Sequence, residues 1–183
     1  MKSMTTRDLS YMSLFTALIA VGAFIQIPIP VVPFTLQFLF TTLAGLLLGG
    51  RWGAMSVGAY LVLGLMGLPV FTQGGGIGYV LIPTFGYLIG FCVAAYVTGT
   101  IASKARTPSY GRLLVANFVG LGIVYLFGMA YYFWISHWYL NNPIGIWALF
   151  LYCFVLAVPG DIALCFLAAV IGKRLIPVVK RGV

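Results

Sequence analysis

The sequence is short of charge. Its 183 residues include two acids, Asp8 and Asp161, one histidine and ten Lys or Arg residues, so only 7% of the chain is charged. An average soluble domain is about 25% charged, and a surface with far fewer charges is poorly soluble in water. The composition therefore argues against a soluble enzyme, a disordered tail and a nucleic-acid-binding protein.

Side chains for catalysis or metal binding are also scarce. The two acids lie at opposite ends of the chain, which disfavours an acid–base pair, and no Cys/His cluster has metal-ligand spacing. The glycine-rich residues 74–78 are not followed by Lys-Ser/Thr, as a phosphate-binding loop would be. We predict no enzyme activity, no metal and no cofactor, and any ATP-driven step requires a partner.

Long apolar runs, in contrast, are abundant. The chain is 62% hydrophobic, with a mean hydropathy of +1.10, and about 20 apolar residues span a bilayer as a helix. Six runs are long enough or nearly so: Leu9–Ile27, Phe34–Gly49, Trp52–Gly67, Pro83–Ala102, Leu113–Ile135 and Ile146–Ile171. We predict an all-α membrane protein in which residues 1–183 form a single domain of six transmembrane helices.

The basic residues agree with this count. All ten lie before helix 1, between helices 2 and 3, between helices 4 and 5, or after helix 6, and the other three loops contain none. Lys and Arg concentrate in cytoplasmic loops. We therefore predict a multi-pass cell-membrane protein with both termini in the cytoplasm and a glycine-rich outer loop between helices 3 and 4.

Asp161 is the only acid inside a predicted span. A charged Asp at the centre of a membrane helix costs about 2.5–3.5 kcal/mol, so such residues usually face a cavity and serve function. The preceding Pro159-Gly160 pair predicts a break near mid-membrane, where transporters place their binding sites. Two interpretations remain open: Asp161 binds a ligand, or it is structural and satisfied by a neighbouring Tyr or Asn.

The predicted outer half concentrates further binding groups. A proline-rich loop leads into helix 2, and the glycine-rich loop leads into helix 4, where Pro83 suits the first turn. Glycines would let this loop close over a ligand. Alternatively, its aromatic residues would form a belt at the membrane interface. The candidate side chains are Thr35, Gln37, Phe71, Gln73, Tyr79, Thr84 and Tyr87.

Four other features lead to predictions. Helix 1 has a stripe of small residues that would let an internal helix or another subunit approach closely: Ser13, Thr16, Ala17 and Ala20. Gly86 and Gly90 form a possible GxxxG packing pair. Asn117 is expected to make a packing hydrogen bond, and His137 to lie in an outer interfacial loop with Asn141.

Several of these stretches together resemble the BioY family of biotin transporters, the substrate-binding S components of energy-coupling factor importers. The matching stretches are residues 32–37 (VPFTLQ), 67–71 (GLPVF), 75–78 (GGIG), 83–91 (PTFGYLIGF) and 159–161 (PGD). They occur in order across nearly the whole chain. One position departs from the family, because a Lys commonly stands where this chain has Leu164.

The resemblance implies a six-helix protein that captures biotin from outside. It implies two kinds of partner, a transmembrane coupling subunit that contacts the small residues of helix 1 and a pair of cytoplasmic ATPases. Asp161, Tyr87 and Gln37 are then expected around the biotin rings, and Thr84, Tyr79 or Gln73 near the valerate. A stand-alone permease, a proton-coupled carrier that uses Asp161, and a purely structural subunit remain the alternatives.

Overall fold

The computed structural model describes residues 5–27, 33–105, 107–140 and 145–181, which are mostly helical. In chain order the elements are α1 (Thr6–Phe24), β1 (Gln26–Ile27), β2 (Phe34–Thr35), α2 (Gln37–Leu48), α3 (Gly50–Leu65), a 3₁₀ segment (Ile77–Leu81), α4 (Phe85–Ser103), α5 (Tyr110–Trp138), α6 (Ile146–Phe150), a π-helical segment (Leu151–Val155) and α7 (Val158–Arg181). β1 and β2 pair antiparallel.

All six predicted runs fall on helices, with shifted ends. The first run was predicted from Leu9, but α1 begins at Thr6 because Thr5 and Asp8 form a capping box. Asp8 N–H donates to Thr5 Oγ1 at 3.2 Å, and Thr5 N–H donates to the Asp8 carboxylate at 3.0 Å. Polar caps of this kind extend a helix beyond its apolar run.

The short α2 occupies the centre of the bundle. Ten of its twelve residues are buried, because α1, α3, α4 and α7 all pack around it. Gly49, with a φ of 84°, makes the turn into α3. Glycines then let the backbones approach closely: a Cβ at Gly53 would lie 2.7 Å from Gly45 Cα.

Helices α4 and α5 pack against each other through glycine. A Cβ at Gly90 would lie 2.9 Å from Val124 Cα, and one at Gly86 would overlap the Tyr131 side chain. Small residues spaced four apart allow this contact. The helix-packing interpretation of Gly86 and Gly90 is therefore confirmed. Pro83 was expected in the first turn of this helix, but it lies two residues before α4 begins.

The last predicted helix is broken earlier than expected. The discontinuity falls in the π-helical segment and at Leu156–Ala157, and α7 starts at Val158. Pro159 therefore lies in the first turn of α7, where proline needs no hydrogen-bond partner for its nitrogen. Asp161 is also a first-turn residue, not the mid-helix residue that the sequence suggested.

Three helical stretches of the described residues are long and apolar enough to cross a membrane: Phe85–Ser103, Tyr110–Trp138 and Trp147–Val179. The last of these takes in the π-helical segment and most of α7. α2 is a shorter apolar helix. The all-helical class with apolar helices is confirmed, and the six crossings with cytoplasmic termini stay a prediction.

Candidate functional site

A cavity lies where the N-terminal ends of α2, α4 and α7 meet the glycine-rich loop and the middle of α5. The space inside it, counted out through its open mouth, is about 640 Å³. The lining residues are Pro33, Phe34, Thr35, Gln37, Phe38, Thr72, Tyr79, Thr84, Tyr87, Leu88, Phe91, Val124, Tyr125, Cys153, Ala157 and Asp161.

Asp161 is held on one side and open on the other. Tyr125 Oη donates to Asp161 Oδ2 at 2.5 Å, and the Tyr125 ring is positioned edge-on by Phe154 and Tyr87, with centroids at 5.0 and 6.2 Å. Within the described residues Asp161 Oδ1 accepts no hydrogen bond. A place in the first turn of α7 also suits an acid, since the N-terminal end of a helix dipole is positive. The second oxygen is thus available to a donor in the cavity.

Tyr87 reaches across from α4 to the broken helix. Its hydroxyl donates to the Cys153 carbonyl at 3.4 Å. That carbonyl is accessible because Ala157 N–H donates to Phe154 O and not to Cys153 O, its partner in a regular α-helix. The Tyr87 ring lies directly on Gly128 of α5. The π-helical break therefore supplies a polar group to the cavity wall.

Two buried polar atoms in the wall lack a partner. Gln37 is 2% exposed, and its Nε2, like Thr84 Oγ1, makes no hydrogen bond within the described residues. An unsatisfied buried polar group costs about 1–3 kcal/mol, so native proteins rarely leave one without a use. Both residues line the cavity, where a polar ligand would satisfy them.

The glycine-rich loop is fastened to the bundle at both ends. Tyr60 Oη of α3 donates to Val70 O at 3.1 Å, and Tyr131 Oη of α5 donates to Val80 O. Between them Gly76 N–H donates to Gly64 O at 2.7 Å. The loop therefore forms a fixed wall of the cavity in this structure, not an open flap.

Six of the eight predicted binding residues line the cavity: Asp161, Tyr87, Thr84, Gln37, Tyr79 and Thr35. Phe71 does not, because its ring packs behind Tyr79, with centroids 4.4 Å apart, and is fully buried against Gly64. Gln73 is exposed on the loop and does not line the cavity either. Phe71 supports the wall that Tyr79 forms.

Two lining residues with clear local roles were not singled out as binding residues from the sequence. Phe34 seals the gap beside α7, where its ring lies against Gly160. Tyr125 positions Asp161, and a phenol flanked by Val124 and Leu126 within an apolar helix is the signal that could have identified it. Its pairing with Asp161, 36 residues away, is not visible in the chain.

The small residues of α1 divide into two sets. Ser13 and Ala17 are exposed, and Thr16 and Ala20 are half-buried. Thr16 Oγ1 donates to Ser56 O of α3 at 3.0 Å. Thr16 thus packs within the bundle, whereas Ser13 and Ala17 lie on a side of α1 that is exposed on the bundle surface.

Two other predictions concern α5. Asn117 is fully buried and its Nδ2 donates to Cys165 O at 2.8 Å, so its packing hydrogen bond is confirmed. His137 lies in the last turn of α5 with its ring 4.2 Å from that of Phe133, because the helix runs on past the predicted loop. Asn141 lies outside the described residues.

Comparison with known proteins covers the whole chain. A family model described as the BioY family matches residues 1–181. The chain is 46% identical over 182 residues to a probable biotin transporter BioY of Lysinibacillus sphaericus, covering 100% of this chain and 93% of that protein. It is 46% identical over 124 residues to the biotin transporter BioY of Thermotoga maritima, covering 67% and 72%. A crystal structure of the S-component for biotin from an ECF-type ABC transporter superposes with a TM-score of 0.79 at 33% identity, covering 94% of each chain.

Proposed function

This chain belongs to the BioY family, and we propose that it is the membrane-embedded subunit that captures biotin from the outer side for import. The family is a transporter component and not an enzyme, and the chain is a multi-pass protein of the cell membrane. The observation that carries the proposal is convergence: polar groups from β2, α2, α4, α5, α7 and the glycine-rich loop line one cavity that contains a half-buried acid, Asp161.

The end of the cavity at Asp161 suits the biotin ring system. Biotin carries two urea N–H donors that point apart, and the free Asp161 Oδ1 would accept one of them in a charge-assisted hydrogen bond. Gln37 Nε2 would donate to the urea carbonyl and thereby satisfy its own buried amide. Tyr87 completes this end, and apolar walls such as Phe38 and Phe91 suit the rest of the fused rings.

The valerate chain would point away from Asp161, because two negative groups repel each other. Neutral donors are available along that direction in Thr84 Oγ1, which lacks a partner, and in Tyr79, whose hydroxyl already bonds Thr72 Oγ1 at 2.9 Å. Gln73 drops out of this role because it does not line the cavity.

The predicted topology of six crossings with cytoplasmic termini belongs to the proposal. Lys173 Nζ near the end of α7 donates to Pro108 O between α4 and α5 at 2.7 Å. This contact supports a common side for the basic C-terminal end and for Lys104 and Arg112, which lie at the end of α4 and the start of α5. The cavity lies toward the opposite end, at the start of α4 and α7, which agrees with capture from outside.

Import requires an energy source that this chain does not carry, and we propose a transmembrane coupling subunit with a pair of ATPases as partners. The exposed Ser13 and Ala17 on α1 are the proposed contact, because small residues let another helix approach closely.

Ala17→Trp tests this contact. We expect biotin uptake by cells that contain the coupling module to fall about 5- to 150-fold, the effect of overpacking by 1–3 kcal/mol, with biotin binding unchanged. Val115→Trp is the matched control, since Val115 is 58% exposed on α5. Equal uptake by the Ala17 variant and the control would rule out the contact.

The function itself is tested with the unmodified chain. Purified in detergent, the protein should retain biotin in a filter-binding assay, and uptake in cells should depend on co-expressed ATPases. Uptake that persists without ATPases and collapses with the pH gradient would instead favour a proton-coupled permease. Absence of biotin binding would contradict both.

Tyr125→Phe addresses the residue that the sequence did not reveal. It keeps the ring packing and removes the hydroxyl that holds Asp161 Oδ2, a hydrogen bond to a charged group being worth about 1.5–3 kcal/mol. We expect biotin affinity to fall at least about tenfold, measured by equilibrium binding. Tyr96→Phe, at a 53% exposed ring of α4, should bind as the unmodified protein does; an equal loss in both variants would show that Tyr125 has no special role.

A further inference from the structure

The lining of the cavity has one acidic side chain and no basic one. Among its sixteen lining residues in the described part of the chain, Asp161 is the only Asp or Glu, and none is Lys, Arg or His. Leu164, one helical turn after Asp161, is buried at 7% exposure and lies outside the lining. A ligand carboxylate would therefore meet hydroxyl and amide groups and no cation.

The described residues near the cavity along the chain bring no cation to it either. Residues 28–32 and 141–144, which lie outside the described residues, contain no Lys, Arg or His by sequence. The next basic residue along α7 is Lys173, twelve residues or about 18 Å from Asp161, and it is engaged with Pro108 O. His137 stacks on Phe133 and does not line the cavity.

From this distribution we infer that the cavity binds a biotin with an uncharged tail, a carboxamide or an ester, at least as tightly as it binds free biotin. The inference rests on the proposed function. A carboxylate that enters the cavity loses water without gaining a cation, and it is repelled by an ionised Asp161. A carboxamide has neither disadvantage, and biotin with this tail keeps the urea N–H that would donate to Asp161.

The experiment compares biotin with its primary amide, which has nearly the same shape. Both compete with radiolabelled biotin for the purified full-length protein in detergent. We expect the Kd of the amide to equal that of biotin or to be lower by about 2- to 15-fold. This range is the effect of removing the repulsion between Asp161 and a biotin carboxylate about 10 Å away. An amide Kd more than about threefold above that of biotin would overturn the inference and leave the proposed function standing.

Thr84→Lys supplies the missing cation at the cavity wall and should turn the preference toward free biotin by about tenfold. An unchanged preference in a folded variant that still binds biotin would contradict the electrostatic cause. If this variant does not fold, the comparison on the unmodified protein still decides. If neither biotin nor its amide binds that protein, the proposed function fails and the inference fails with it.

Discussion

Asp161→Asn should weaken biotin binding about 5- to 150-fold and leave the protein folded. The range corresponds to about 1–3 kcal/mol, the cost of leaving a polar group without its partner once the bound ligand shields it from water. Asparagine has the size of aspartate, and its carbonyl oxygen still accepts from Tyr125 Oη, which reaches Asp161 Oδ2 at 2.5 Å. The amide nitrogen would then face the ligand, where a donor opposes the urea N–H groups. Equilibrium binding of radiolabelled biotin measures the loss.

The chain offers a matched control for this change. Asp8 is the only other acid, and it lies in the capping box at the start of α1, far along the chain from the cavity. Asp8→Asn makes the same chemical change outside the site and should alter biotin affinity by less than about twofold. Near-equal affinities for the Asp161 variant and the unmodified protein, both folded by circular dichroism, would remove Asp161 from the site.

The helices were predictable because each depends on a continuous stretch of the chain. The length and hydropathy of a run such as Leu113–Ile135 identify α5 without knowledge of its neighbours, although its true bounds are Tyr110–Trp138. Residues of the cavity were predictable for a related reason. Asp161 and Gln37 are polar side chains in apolar surroundings, and polar groups within a membrane protein tend to face a cavity.

Contacts across the bundle could not be predicted in this way. The Tyr125–Asp161 hydrogen bond joins residues 36 positions apart, and Phe71 looks like a loop aromatic until its ring is found behind Tyr79. The break in the last helix also depends on tertiary structure. Pro159 suggested its place, but proline fits the first turn of a helix, so the discontinuity falls before it, in the π-helical segment.

The Tyr87 wall depends on the absence of a side chain at Gly128. A Cβ at that position would overlap three atoms of the Tyr87 ring, which packs edge-on against Tyr125 and whose hydroxyl donates to Cys153 O. Because the added methyl group would lie between α5 and the Tyr87 ring, the ring would have to shift away from α5, which changes the cavity wall. Overpacking of this kind costs about 1–3 kcal/mol.

Gly128→Ala should therefore weaken biotin binding at least about tenfold, although alanine by itself favours a helix over glycine by about 1 kcal/mol. Gly122→Ala is the matched control on the same helix, because a Cβ there meets no atom within 4 Å; it should keep full affinity and raise the melting temperature slightly. The two variants differ only in what the added methyl group touches. Equal biotin affinity in both would mean that the position of the Tyr87 ring does not matter to the ligand, and a loss in both would trace the effect to the helix backbone.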